Sequence, residues 1–228
     1  MTRADGTPAV LKVAHLHPEN LLEAAALEHY AGAGAARLYE SDPERGVILL
    51  ERLEPGTPLI AVDEREAYAA VARLYPKLWR PLAGGHPFAT LADEAGRWAV
   101  EFDAIPGEVA HECARLCREL GPTQGEQVLV DQDLHGENIL SAEREPWLAI
   151  DPKPLAGERE FGTVAMIRDR RRELAREPHL RRRILGRLDL LAGELGLDRE
   201  RMRGWCAVHT FAWGHDDPGM ISIVRAVL

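Results

Sequence analysis

The chain has 228 residues, 46% of them hydrophobic and 29% charged, which suits one compact domain or two small lobes and argues against disorder or a fibre. Thirty-seven acidic residues against 28 basic ones leave a formal charge of −9, which disfavours nucleic acid as a general partner and suits cationic small molecules better. No apolar run approaches the ~18 residues of a membrane span, the first residues hold no signal-peptide core, and Cys113, Cys117 and Cys206 are too few for a disulfide framework. A cytoplasmic protein with no membrane partner is expected.

In chain order, Asp5-Gly6 reads as a turn and Ala9-Val10-Leu11-Lys12-Val13 as a short apolar strand. A helix is expected from Pro18-Glu19 to about Ala31, with Leu22, Ala26 and Tyr30 on one face and Gly32 and Gly34 as its stop. Ala36–Glu40 and Val47–Glu51 read as two strands joined by the turn Ser41–Gly46, and Pro55-Gly56-Thr57-Pro58 as a linker. Helices follow at 63–83, 90–104 and 107–120. Asp63 and Glu66 open the first as a capping box, and Pro76 is expected to kink or end it. After a strand-rich island at 127–152, helices are expected at 162–176, 178–195, 198–213 and 220–228.

The island carries the chemistry. Val128-Leu129-Val130 is an apolar strand. Asp131-Gln132-Asp133-Leu134-His135-Gly136-Glu137 is a polar loop, and a second strand starts at Asn138. A third strand, Trp147-Leu148-Ala149-Ile150, ends in Asp151. Two carboxylates and an amide oxygen are hard ligands, suited to Mg²⁺ on a nucleotide phosphate with one carboxylate left to orient a hydroxyl nucleophile.

Asp133-Leu134-His135-Gly136-Glu137-Asn138 with Ile150-Asp151-Pro152-Lys153 resembles the kinase-like antibiotic phosphotransferases, and among them the aminoglycoside/hydroxyurea resistance kinases of the streptomycin 6-phosphotransferase type. Val10–Val13, Leu49–Gly56 and Ala212-Trp213-Gly214-His215-Asp216-Asp217 extend the resemblance over most of the chain. It implies an α+β, protein-kinase-like bilobal fold and an ATP- and Mg²⁺-dependent transfer to a hydroxyl of an aminoglycoside-type, streptomycin-like antibiotic or a similar small polar molecule. Asp133 would be the catalytic base and His135 would support its loop. Asn138 and Asp151 would hold the metal. Lys12 would contact the nucleotide phosphates with Glu23 as its partner, and Glu51 to Leu53 would form the hinge facing adenine. Asp216 and Asp217 would meet a cationic amino-sugar. Oligomeric state is left open.

The match has three departures. Asp131-Gln132 replaces the His-Gly of the usual motif, and Gly157-Glu158-Arg159-Glu160 stands where relatives tend to carry another acidic motif. Eleven residues precede Lys12, so a reduced nucleotide lobe over 1–56 is expected, lacking the phosphate-covering loop, with a mainly helical lobe over 57–228. That reduction suggests the alternative, a catalytically silent relative binding a cationic small molecule or a protein partner.

Other signals are weaker. Gly32-Ala33-Gly34 precedes a strand and follows a helix, the reverse of a dinucleotide fingerprint. Cys113 and Cys117 share one helix face without a second ligand pair, so buried thiols are expected rather than zinc. The arginines of 168–183 are interleaved with acids and read as a solvated helix face.

Overall fold

The structure is a computed structural model that describes residues 1–14 and 22–228. The expected helix start at Pro18-Glu19 lies outside the described residues. In chain order the strands are β1 (Ala9–Val13), β2 (Leu38–Asp42), β3 (Val47–Glu51), β4 (Pro55–Pro58), β5 (Val128–Asp131), β6 (Ile139–Ala142), β7 (Trp147–Ala149) and β8 (Pro154–Gly157). The helices are α1 (Glu23–Tyr30), α2 (Glu64–Leu78), α3 (Leu91–Asp103), α4 (Glu108–Leu120), α5 (Val164–Ile167), α6 (Arg171–Leu174), α7 (Leu180–Leu195), α8 (Arg199–Gly214) and α9 (Pro218–Val227). Two compact units form, one from 1–88 with 133–154 and one from 89–132 with 155–228. The division at 56/57 follows chain order, whereas these units follow packing.

In the first unit, β1-β3-β2 make an antiparallel sheet with Lys12 opposite Ile48. A second sheet runs β4-β6-β7. The segment expected to be a linker is therefore a strand, with Pro55 opposite Ala142 and Pro58 opposite Leu140. Its prolines are tolerated because β4 is an edge, where a missing N–H faces no ladder partner. Thr57 N donates to Ser141 Oγ (2.9 Å) and Ile60 N to the Gly136 carbonyl (3.0 Å), tying this edge to the loop before β6.

α1 stops as expected, although Ala31 itself takes the left-handed cap (φ 50°), its N–H bonded to the Leu27 and Glu28 carbonyls. Gly34, at φ 72°, sits so close to α2 that a Cβ would lie 3.1 Å from Lys77 Cβ and 3.2 Å from Leu74 and Leu78. That approach lets the segment after α1 run beside β7: Ala149 N donates to the Gly34 carbonyl (2.8 Å) and Ala36 N to the Ala149 carbonyl (2.9 Å). Ala36, Leu53 and Leu148 pack beneath. Asp63 caps α2 by accepting from Arg65 N (2.9 Å), and α2 ends two residues past Pro76.

The second unit is mostly helical, with Phe102, Phe161 and Trp205 fully buried. β5 pairs with β8, an unexpected strand, so β5 and β6 are not partners across the polar loop. The helix expected over 162–176 is broken between α5 and α6. Buried Arg187 donates to the carbonyls of Ile167 (2.9 Å) and Asp169 (2.7 Å), diverting them from helical bonding, and Arg170 turns left-handed at φ 56°. Pro218 opens α9, at a position where its missing N–H costs nothing. Cys113 and Cys117 are buried free thiols, as expected, and so is Cys206; burial raises the first two to about 12. Among the described residues no helix is long and apolar enough to cross a membrane.

Candidate active site

Eight of the ten residues singled out in the sequence lie in the first unit; Asp216 and Asp217 lie in the second. The loop from Asp133 to Asn138 is folded on its own backbone. His135 N donates to the Asp133 carbonyl (2.8 Å), Asn138 N donates to the His135 carbonyl (2.9 Å), and Asn138 Nδ2 reaches the Asp133 carbonyl (3.0 Å). His135 Nδ1 accepts from Glu137 N (3.2 Å), and Nε2 stands 3.7 Å from Asp133 Oδ2. An acceptor at Nδ1 makes Nε2 the protonated nitrogen of the neutral ring, so it is the N–H that faces Asp133.

β6 and β7 then bring the loop back to Asp151. Ile139 is opposite Ala149, and Ile150 N donates to the Asn138 carbonyl (2.9 Å). Asn138 and Asp151 therefore flank the same end of the β6–β7 pair. Asp151 adopts φ 50°, a left-handed conformation that costs a non-glycine residue about 1–3 kcal/mol and concentrates at functional sites.

Lys12 joins the sheets. Its Nζ donates to both Glu23 oxygens (2.9 and 2.7 Å) and to Asp151 Oδ1 (2.6 Å). Lys153, to which the sequence reading gave no role, donates to the same Asp151 oxygen at 3.0 Å. Its signal was present two residues past Asp151, a spacing that keeps both side chains in reach of each other. Burial works against the charge of Lys12, but hydrogen bonds to Asp151 and Glu23 outweigh it and raise its ammonium above the ordinary value. Burial raises Glu23, whose side chain is 2% exposed, against the pull of Lys12. Burial also pulls Asp151 upward, but Lys12 and Lys153 hold it below the usual carboxylate range. Asp151 is thus the ionised, reachable member, with its side chain 37% exposed.

This donor set fits a divalent cation. Asn138 commits its Nδ2 to backbone, leaving the amide oxygen as its available end, and both lysines sit on Oδ1 of Asp151, leaving Oδ2. A carboxylate and an amide oxygen are the ligands Mg²⁺ prefers.

The side chain of Glu51 is engaged elsewhere. Arg144 grips it from both oxygens (3.0 and 2.8 Å), and Arg37 N donates to it at 3.0 Å. Burial is outweighed by these donors, so Glu51 lies below its ordinary value. Arg144 also donates to the carbonyls of Gly32 (2.7 Å) and Ala35 (3.0 Å), a bracket the sequence reading missed because its partners are about a hundred residues away. Leu53 is buried with Ala36 and Leu148. In the second unit, Asp217 Oδ1 caps α9 through Gly219 N (2.7 Å) and Met220 N (3.4 Å), while Asp216 is 95% exposed.

Comparison with known proteins gives the family and the fold. The family described as aminoglycoside/hydroxyurea antibiotic resistance kinase matches residues 1–217. The hydroxyurea phosphotransferase of Kitasatospora aureofaciens is 38% identical over 90% of this chain, and the chain spans only 61% of that relative's length. The streptomycin 6-kinase of Streptomyces glaucescens is 37% identical over 89% of this chain and 68% of its own. Among solved structures, the choline kinase LicA of Streptococcus pneumoniae superposes with a TM-score of 0.63 at 11% identity, over 99% of this chain and 86% of its own. The α+β fold is that of the protein-kinase-like small-molecule kinases.

Proposed function

The chain belongs to the aminoglycoside/hydroxyurea antibiotic resistance kinase family, and from that premise we propose that it transfers a phosphoryl group from ATP, with Mg²⁺, to a hydroxyl of an aminoglycoside-type, streptomycin-like antibiotic or a similar small polar molecule. The observation that supports this best is one unit holding Lys12 between Glu23 and Asp151, with the Asp133–Asn138 loop packed on the same β6–β7 end. The names of two relatives, a streptomycin 6-kinase and a hydroxyurea phosphotransferase, support the acceptor class.

In this reading Asp133 takes the proton of the acceptor hydroxyl as its oxygen bonds to the γ-phosphorus and the bond to the departing ADP oxygen breaks. The Nε2–H of His135, which faces Asp133 Oδ2 at 3.7 Å, helps to orient it for that task. Asn138 and Asp151 hold Mg²⁺, which when bound neutralises charge on the phosphate oxygens. Lys12, kept charged by its two carboxylates, contacts the nucleotide phosphates. The backbone of Glu51 to Leu53 faces adenine, with Arg144 fixing the end of β3. Asp216 and Asp217 meet the cationic groups of the acceptor, and Asp216 has the freer carboxylate because Asp217 is occupied as a helix cap.

The test is ATP consumption with streptomycin and related acceptors, comparing wild type with Asp133→Ala. A general base contributes roughly 10²–10⁴-fold, so turnover should fall by that factor with the melting temperature unchanged. Equal turnover in the two proteins would remove Asp133 from the chemistry.

A further inference from the structure

The β6–β7 pair is built differently at its two ends. Asn138 and Asp151 flank one end. Arg144 stands at the other, in the turn between Ala142 and Trp147. There its guanidinium commits every one of its N–H groups. Nε donates to one oxygen of Glu51 (3.0 Å) and a terminal nitrogen donates to the other (2.8 Å). The remaining bonds go to the carbonyls of Gly32 (2.7 Å) and Ala35 (3.0 Å) and to the carboxylate of Glu145 (3.0 Å). Gly32 and Ala35 belong to the segment between α1 and β2, and Glu51 ends β3. Leu53, two residues on, packs against Ala36 of that segment and Leu148 of β7.

Resting on the phosphotransferase reading above, we propose that Arg144 is a positioning residue for the nucleotide: it holds the adenine-facing backbone of Glu51 to Leu53 at a fixed reach from the cation ligands, with the β6–β7 pair as the strut between them. Strut, ligands and gripped backbone all lie in the first unit. A guanidinium suits the task because its donors lie in one plane, in a rigid fork. An ammonium keeps the charge, but its three donors turn about a flexible stem and cannot span both Glu51 oxygens and two carbonyls at once.

The phosphate end has its own fastening, since Lys12 donates to Glu23 (2.9 and 2.7 Å) and to Asp151 (2.6 Å) without Arg144. Loss of Arg144 therefore weakens the hold on the base and spares the hold on the phosphates. An arginine that served folding alone would lower the melting temperature and weaken both ligands together.

The experiment is calorimetric titration of the full chain, with Mg²⁺ present, using ADP and inorganic tripolyphosphate as the two probes, for wild type, Arg144→Lys and Glu51→Gln. Arg144→Lys should bind ADP about tenfold more weakly and tripolyphosphate within about twofold of wild type. If Arg144→Lys fails to fold, Glu51→Gln, which leaves the carbonyl partners of Arg144 in place, should show the same split at about threefold. Wild-type binding of both probes, with the two weakened together in the variant or with ADP binding restored by lysine, overturns this inference alone. If wild type binds neither probe, the phosphotransferase reading falls and takes this inference with it.

Discussion

Two acidic clusters, one in each compact unit, handle the same electrostatic problem differently. In the second unit Glu158, 2% exposed, accepts from Arg201 through Nε (3.0 Å) and a terminal nitrogen (2.8 Å), from Gly125 N (3.1 Å) and from the indole of Trp205. Both oxygens are committed to rigid donors, so the group is closed. In the first unit Asp151 is 37% exposed, sits on left-handed backbone, and takes the ammonium groups of Lys12 and Lys153 on Oδ1, so that among the described residues its Oδ2 has no donor. A buried charge saturated by a planar guanidinium and an indole serves the fold, since nothing can enter without breaking it. A partly exposed carboxylate with ammonium groups on one oxygen can still take a ligand on the other. Glu158 is absorbed into the core.

The comparison breaks most visibly at Glu158. Glu158→Ala strands a half-buried arginine and should cost about 3–5 kcal/mol, read as a lower denaturant midpoint. A loss under about 1 kcal/mol would mean that the pair resembles a surface bridge. Next comes the frame that holds the open cluster. Gly34→Ala places a Cβ against Lys77, Leu74 and Leu78 at a left-handed position and should cost about 1–3 kcal/mol, with Arg144 and Ala149 losing their carbonyl partners at 32–36.

Glu51 lies between the two extremes, and pH distinguishes it. Its folded value is held below the ordinary 4.5 by Arg144 and Arg37 against the pull of burial. In the window between, the unfolded chain binds more protons, so its stabilisation is present above 4.5 and lost as pH falls through the lowered value. Melting curves from pH 6 downward should therefore show the gap between wild type and Glu51→Gln closing below about pH 4.5. A gap independent of pH would show that Arg144 grips Glu51 through packing alone.

Local pattern made much of the first unit legible. β1 and β3 are short apolar runs bounded by turns, and they fold where expected. The Asp133, Asn138 and Asp151 spacing is readable because loop and strand lengths alone bring Asn138 and Asp151 to one sheet end. What escaped depends on distant partners. β4 looks like a linker until β6, more than eighty residues later, gives its edge a ladder. α5 ends where it does because Arg187 takes the carbonyls of Ile167, its last residue, and of Asp169 just beyond, and periodicity carries no trace of that. Lys153 was visible in the motif, but its 3.0 Å contact to Asp151 shows only in the fold. Asp217 Oδ1 also caps α9 through Gly219 N and Met220 N, a local bond that the sequence reading did not name.

The most direct test is calorimetric titration of Mg²⁺·ADP into wild type and Asp151→Asn, with a thermal melt of each. Asparagine tolerates the left-handed backbone, so the melt should stay within a degree or two. Nucleotide affinity should drop at least tenfold, about 1.4 kcal/mol, and lose its dependence on Mg²⁺. Unchanged affinity together with a collapsed melt would make Asp151 a second Glu158 and contradict the account.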